Sequence, residues 1–344
     1  MSKNIVVFSD GTGQKGGVNF NTNVYKLFNM VEDRTNNQVA FYDPGCGTDF
    51  RKVTGNLAGR GFSKNLLDCY HFIFQNYQAG DNIYLFGFSR GAATVRSLSG
   101  FIHMFGVLPK CREDLVREAF RIYKIKDAEV RAEKAKDFIE KNHTMWCKIK
   151  FLGVWDTVAA LGLPIKWLSY LLDRFMPSTF HKYDLSESVE YARHALAIDE
   201  DRKTFNPLVW DTITNDAAGR MKQVWFSGVH TDIGGGYKEE ELSNISLCWM
   251  IREATAKGLL LYKGGDNYKK FQACVSDVNG IMHNERVGFP GKFFRKLERS
   301  WNEETHGSVC IHESVKKRLI SSSNNTKLPY KPWILNSKNV TIES

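Results

Sequence analysis

The chain has 344 residues with 47 Lys and Arg against 38 Asp and Glu, a formal net charge of +9, yet its basic residues are interleaved with acids, which reads as a solvated surface and not as a nucleic-acid footprint. At 42% hydrophobic and 25% charged it is of globular composition and long enough to bury a full core without disulfides or metals. Its seven cysteines (Cys46, Cys69, Cys111, Cys147, Cys248, Cys274 and Cys310) are odd in number and hold no CxxC pair, which argues against a zinc site or a disulfide framework and for a reducing compartment.

Ile5-Val6-Val7-Phe8 is a short apolar run that stops at Ser9-Asp10-Gly11-Thr12-Gly13, a predicted buried strand ending in a tight loop. It is too short for the apolar region of a signal peptide, and no stretch reaches the roughly 18 apolar residues of a membrane span. Synthesis in the cytoplasm is expected, with export by a machine that reads no cleavable signal left open. Val24, Leu27, Phe28 and Val31 fall at helical spacing, and Val39-Ala40-Phe41-Tyr42 is a second strand closed by Asp43-Pro44-Gly45. Leu66, Leu67, Tyr70, Ile73, Phe74 and Tyr77 mark the apolar face of a helix. The strand Ile83-Tyr84-Leu85-Phe86 runs into Gly87-Phe88-Ser89-Arg90-Gly91, and the small residues Ala92-Ala93-Thr94 open a helix to about Phe105.

Residues 110–145 are dense in charge with Leu115, Ala119 and Ile122 at helical spacing, a predicted helical insertion that adds no strand. Ile149–Trp155 returns as a strand and ends at Asp156-Thr157. A second helical insertion is expected at about 161–190. Ala195–Ile198 and Val224–Phe226 are further strands, ending in Asp199-Glu200 and His230-Thr231-Asp232 respectively. Alternation of helices with continuously apolar strands predicts a mostly parallel sheet covered on both faces, in one α/β domain over 1–320. Residues 321–344, with Ser321-Ser322-Ser323-Asn324-Asn325, are expected to form a weakly structured tail.

The chemistry centres on Gly87-Phe88-Ser89-Arg90-Gly91, a GxSxG motif between an apolar strand and a small-residue helix. A serine on such a turn is lifted above the sheet, the glycines remove clashing side chains, and the free N–H groups of the helix start lie where an oxyanion develops. Ser89 is therefore the candidate nucleophile and the Arg90 N–H the expected first oxyanion donor. The serine needs a base, and nine histidines compete. His71 precedes the serine, and His103 and His143 fall before the next strand. His194 is read as preceding its strand, at the wrong end of the sheet. His230 follows a strand and is flanked by glycines in Gly228–Tyr237, so it is the candidate base, with His312 as runner-up. Asp156 and Asp199 both end strands and tie as the acid, since loops at the carboxyl ends of parallel strands build such sites. Asp232 is too close in sequence to His230 to orient its ring.

Together, Phe8-Ser9-Asp10-Gly11-Thr12, Asn21-Thr22-Asn23-Val24, Tyr42-Asp43-Pro44-Gly45, Gly87–Ala92, Val154–Val158, His194–Glu200 and Gly228–Tyr237 resemble the α/β-hydrolase family that contains the first class of type VI secretion lipase effectors. A weaker block resembles the family's C-terminal region at His312–Val315 with Arg318. The resemblance implies an α/β-hydrolase fold, phospholipase activity and a Ser89–His230–Asp156 triad with an acyl-enzyme intermediate. It breaks the tie toward Asp156 and leaves Asp10, Asp199 and Asp232 as supporting positions. It also implies that Asp10-Gly11-Thr12 lies beside the nucleophile, with Gly11 or Thr12 as second oxyanion donor. A phospholipid or other lipid ester is the implied substrate, with peripheral membrane contact, no nucleic acid, and an immunity or secretion partner should the protein serve as an effector. The chemistry requires no cofactor, and a divalent ion stays open. Effectors of this class often carry membrane-anchoring or spike-binding regions for which 344 residues leave little room, so the activity is the better-supported part of the resemblance.

Leu163, Ile165, Trp167, Leu168, Tyr170, Leu171, Leu172, Phe175 and Met176 read either as a lid that meets acyl chains or as the core of a helical insertion. Lys292, Arg295, Lys296 and Arg299 read as a solvated helix face before a headgroup-binding patch. Rival functions are a carboxylesterase on small soluble esters or a peptidase, either on the same triad, a binding module without turnover, and a phosphohydrolase using Asp10. The last lacks an aspartate two residues earlier, where Phe8 stands.

Overall fold

A computed structural model describes residues 2–11, 16–17, 20–45, 55–158, 185–211, 219–273, 276–287, 291–323 and 329–344. The strands are β1 (Asn4–Ser9), β2 (Gln38–Asp43), β3 (Asn82–Phe88), β4 (Ile149–Trp155), β5 (Val189–Ala197), β6 (Met221–Phe226), β7 (Val309–His312) and β8 (Val340–Glu343). They form one eight-stranded sheet in the order β2-β1-β3-β4-β5-β6-β7-β8. Every neighbouring pair is parallel. The order reverses direction between β1 and β3, whose carboxyl ends are held level by the pairing of Ser9 with Gly87. Such a switch point opens a crevice above the strand ends, where ligands bind in open parallel sheets.

The period-2 alternation of the strands divides the core. Ile5, Val7, Ile83 and Leu85 face one layer, packed on α2 (Gly55–Asn76), α3 (Arg90–Phe105), α4 (Glu113–Tyr123) and α5 (Ala128–Asn142). Val6, Phe8, Tyr84 and Phe86 face the other, packed on α1 (Asn23–Phe28), α6 (His230–Gly234) and α7 (Glu241–Thr255). Both faces are thus covered, which is why these strands read as continuous apolar runs. In β4 the register skips Lys150, because Ile83 pairs with Ile149 and Tyr84 with Phe151. This bulge restores the alternation, so Ile149, Leu152 and Val154 join the first layer and Phe151 and Trp155 the second.

Residues 110–145 hold α4 and α5 and no sheet strand. The 161–190 insertion falls largely outside the described residues, which resume at 185, with β5 starting at Val189. The remaining helices are α8 (Asp266–Ala273), α9 (Glu303–His306) and α10 (Glu313–Ser323). The expectation of a weakly structured tail is corrected. Helix α10 runs to Ser323, and β8 pairs with β7 from Val309↔Val340 to His312↔Glu343. The chain end is held by Lys222 on Glu343 at 2.6 Å. Its alternation is weak because β8 is an edge strand with its side chains mostly exposed. No helix of the described residues is long and apolar enough to cross a membrane.

Candidate active site

Ser89 joins β3 to α3 at φ 58° and ψ −121°, a left-handed conformation costly for a residue with a Cβ. The neighbouring glycines make the turn possible. A Cβ on Gly91 would lie 2.0 Å from the carbonyl oxygen of Ser9, and one on Gly87 would lie 2.6 Å from that of Gly91. Helix α3 is thereby pressed against the end of β1. Although Ser89 occupies the cap position of α3, its hydroxyl makes no capping bond. It meets His230 instead, with Oγ 2.9 Å from Nε2.

His230 opens the five-residue helix α6 just beyond β6. Asp232 stabilises that start by accepting the N–H of Val229 at 3.0 Å. The imidazole is buried between Phe88 and Phe205, whose ring centroids lie 4.6 and 5.1 Å away. Its Nδ1 is 2.6 Å from Oδ2 of Asp156. Asp156 leaves β4 at φ 38°, fully buried, and the backbone N–H of Ala197 donates to its Oδ1 at 3.0 Å. Burial alone would raise this carboxyl, but the guanidinium of Arg299 beside it, and then His230, hold it well below the usual carboxylate range. The structure therefore brings Ser89, His230 and Asp156 into one hydrogen-bonded chain.

A family model described as the type VI secretion phospholipase effector Tle1-like catalytic domain matches residues 3–253, well over half of the chain. The chain belongs to this family. It is also 30% identical, over 60% of its length and 32% of the relative's, to an uncharacterized protein of Saccharomyces cerevisiae. Among solved structures it is similar to an uncharacterized protein from Pseudomonas aeruginosa at 17% identity and TM-score 0.49, covering 76% of this chain and 46% of that one. The Tle1 effector bound to the VgrG spike of the type 6 secretion system aligns at 18% identity and TM-score 0.42, covering 69% of this chain and 52% of that one. The chain thus spans about a third of its curated relative and about half of these two structures.

Gly11 of this Tle1-like chain abuts the serine, since a Cβ on it would lie 3.5 Å from that of Ser89. The N–H of Gly11 is engaged by Asp10 Oδ1 at 2.7 Å, which turns it from the role of oxyanion donor. Thr12, the other candidate, lies outside the described residues. Arg90 is the first residue of α3, directly after Ser89, at the positive end of the helix dipole. Asp10 is buried and takes Thr22 Oγ1 at 2.6 Å and the Tyr42 hydroxyl at 2.8 Å on its other oxygen. Burial outweighs these donors and pushes its carboxyl up to about 6.

The other sequence candidates sit apart from Ser89. Asp199 accepts the N–H of Gly228 at 2.7 Å and the hydroxyl of Tyr330 at 2.8 Å, and burial pushes it up to about 6. Asp232 also pairs with His283 Nδ1 at 2.7 Å. His194 requires a correction. It lies inside β5, paired in register with Val154, and its Nε2 accepts the N–H of Thr157 at 3.1 Å. Burial holds this ring down to about 3, so it serves as a neutral prop under the Asp156 turn. His312 ends β7, bonded to Ser314 Oγ at 2.8 Å and stacked on Phe226.

Two parts of the site are absent from the sequence reading. Glu200 accepts the N–H of His230 at 3.3 Å and is itself held by Arg202 through two bonds of 2.7 Å. Arg299, expected on a solvated helix face, is instead buried and donates to both oxygens of Asp156, at 2.6 and 2.8 Å. Phe294, Leu297 and Trp301 do fall at helical spacing, but the described backbone over 295–302 is not helical. Nothing local marks one arginine of a basic cluster as the buried one. Among the described residues no group of three or more His, Cys, Asp or Glu is arranged to hold a metal ion.

Proposed function

We propose that this protein is a serine hydrolase cleaving carboxylic esters of lipids, a phospholipase, with Ser89 as nucleophile, His230 as base and Asp156 as its orienting acid. The observation that carries this reading is the continuous contact from Ser89 Oγ through the His230 ring to Asp156, with the serine held at a positive φ on the turn into α3. In the first step Nε2 takes the hydroxyl proton as Oγ attacks the ester carbonyl. Asp156 holds the tautomer with the proton on Nδ1 and stabilises the charge that forms on the ring. The Arg90 N–H at the start of α3 receives the oxyanion. Nε2 then protonates the leaving alcohol, and water, activated by the same ring, releases the fatty acid from the acyl-enzyme.

Membership of the phospholipase-effector family supports a lipid ester as the substrate class. The rival use of Asp10 as a phosphoryl acceptor is disfavoured by its setting. It is 1% exposed, and both its oxygens already accept hydrogen bonds.

Fluorophosphonate labelling of the wild type beside Ser89→Ala tests the nucleophile, and product analysis on phospholipids, lysophospholipids and short soluble esters tests the substrate. Labelling confined to the wild type and fatty acid released from phospholipid are expected. Labelling that survives Ser89→Ala removes the reading, and turnover restricted to short esters replaces the phospholipase by a carboxylesterase.

A further inference from the structure

We propose that Arg299 is a positioning residue for the acid–base pair: its guanidinium grips both oxygens of Asp156, fixes the carboxylate against His230 and offsets the negative charge that the ring faces. This rests on the proposed roles of Ser89, His230 and Asp156. Arg299 lies outside residues 3–253, the part of the chain that the family model matches.

The geometry is that of a fork. Nη1 donates to Asp156 Oδ1 at 2.6 Å and Nη2 to Oδ2 at 2.8 Å. The same two nitrogens donate to the carbonyls of Ala197 at 2.6 Å and Phe205 at 2.7 Å, so the guanidinium is itself locked. Its side chain is 1% exposed. Backbone bonds brace the segment that carries it, from Lys203 N–H to the Arg295 carbonyl and from Leu297 N–H to that of Asp201, both at 2.8 Å. A planar fork of this kind leaves a carboxylate no rotational freedom, which a lysine ammonium cannot reproduce. Among the described residues a single backbone N–H, that of Ala197, donates to the Asp156 carboxylate, so its orientation depends on the arginine.

Charge gives the second consequence. Oδ2 is shared between Arg299 and His230 Nδ1, so the carboxylate that favours a protonated ring is offset by a guanidinium on the same atom. The other charged groups facing the ring are Glu200, whose Oε2 meets the His230 N–H, then Arg202, which holds Glu200, and Glu285, which pairs with Arg202 at 3.1 Å. Asp232, on the same short helix as His230, is occupied by His283. Arg299 is the cation bonded directly to the acid, so removing it leaves the ring facing a carboxylate with no compensating charge. The depressed carboxyl of Asp156 agrees with this, since Arg299 is the largest influence lowering it.

The test is the pH dependence of kcat/KM on a soluble short-chain ester for the wild type, Arg299→Met, Arg299→Lys and Ser89→Ala. In Arg299→Met the acid limb moves up by roughly one pH unit and kcat falls about tenfold to a hundredfold, with KM little changed. Arg299→Lys keeps the limb close to wild type but recovers only part of kcat, because charge is restored without the fork. An acid limb unmoved in Arg299→Met overturns the proposal. Should Arg299→Met fail to fold by circular dichroism, Arg299→Lys decides: a kcat reduced severalfold at unchanged KM supports it, and a wild-type kcat overturns it. Ser89→Ala separates the two layers. If it retains turnover, the proposed nucleophile fails; if it is inactive while Arg299→Met keeps its limb, only the role of Arg299 fails.

Discussion

The carboxylate of Asp199 accepts the backbone N–H of Gly228 at 2.7 Å, two residues before His230, while the Gly228 carbonyl accepts the N–H of Asp199 at 3.0 Å. The turn that launches the imidazole is thus pinned to the end of β5. Asp199→Ala is expected to lower kcat about tenfold by letting the ring drift, with KM for a short ester nearly unchanged. Steady-state kinetics on the folded variant check this, and an unaltered kcat contradicts the tether.

Asp10 and Asp199 both have carboxyls raised to about 6 by burial. A carboxyl raised in the folded state binds its proton more tightly there than in the unfolded chain. Its contribution to stability is therefore full below about pH 4 and is lost as pH rises through 6. The loss is on the order of 3 kcal/mol for each group. In Asp10→Asn the decline of the urea midpoint between pH 4 and pH 7 should be shallower than in the wild type. An equal decline in both would show that Asp10 ionises without cost.

Gly91→Ala places a methyl group 2.0 Å from the Ser9 carbonyl oxygen, a backbone atom that cannot swing away. The start of α3 must move off β1, and Ser89 moves with it. A loss of roughly 2 kcal/mol is expected in denaturant unfolding, with fluorophosphonate labelling slowed at least tenfold. Wild-type labelling would mean that the elbow tolerates the shift.

Deleting 338–344 removes β8, uncovers the edge of β7 and breaks the ion pair of Lys222 with Glu343 and the contact of Arg252 with Ser344. A melting temperature lower by several degrees and a rise in concentration-dependent aggregation are expected. A melting temperature equal to wild type would mark β8 as dispensable.

Asp156→Asn keeps the shape of the acid but loses its charge against both His230 and the buried Arg299. Turnover should fall by about 10⁴, as the tautomer of the ring is no longer specified. Stability should also drop by roughly 3 kcal/mol, because a buried cation loses its partner. Retained stability would mean that the Ala197 and Phe205 carbonyls suffice for Arg299.

Whatever depends on neighbours along the chain is legible in the residues alone. Ile83–Phe86 had to be a strand buried on both faces, Gly87 and Gly91 had to bracket a turn that lifts Ser89, and the glycine-flanked His230 had to follow a strand. Asp156 and Asp199 were indistinguishable at that level because each simply ends a strand. Tertiary structure decided which carboxylate meets the ring. The adjacent pairing of β4, β5 and β6 sets Asp156 under His230 at 2.6 Å, 74 positions away in sequence, and turns Asp199 to Gly228 and Tyr330. It also decided that Arg299, 143 positions from Asp156, is buried on that carboxylate. A buried ion pair closed over such a distance has no period and no spacing in the chain, since only packing of the C-terminal segment onto the sheet brings its two charges together.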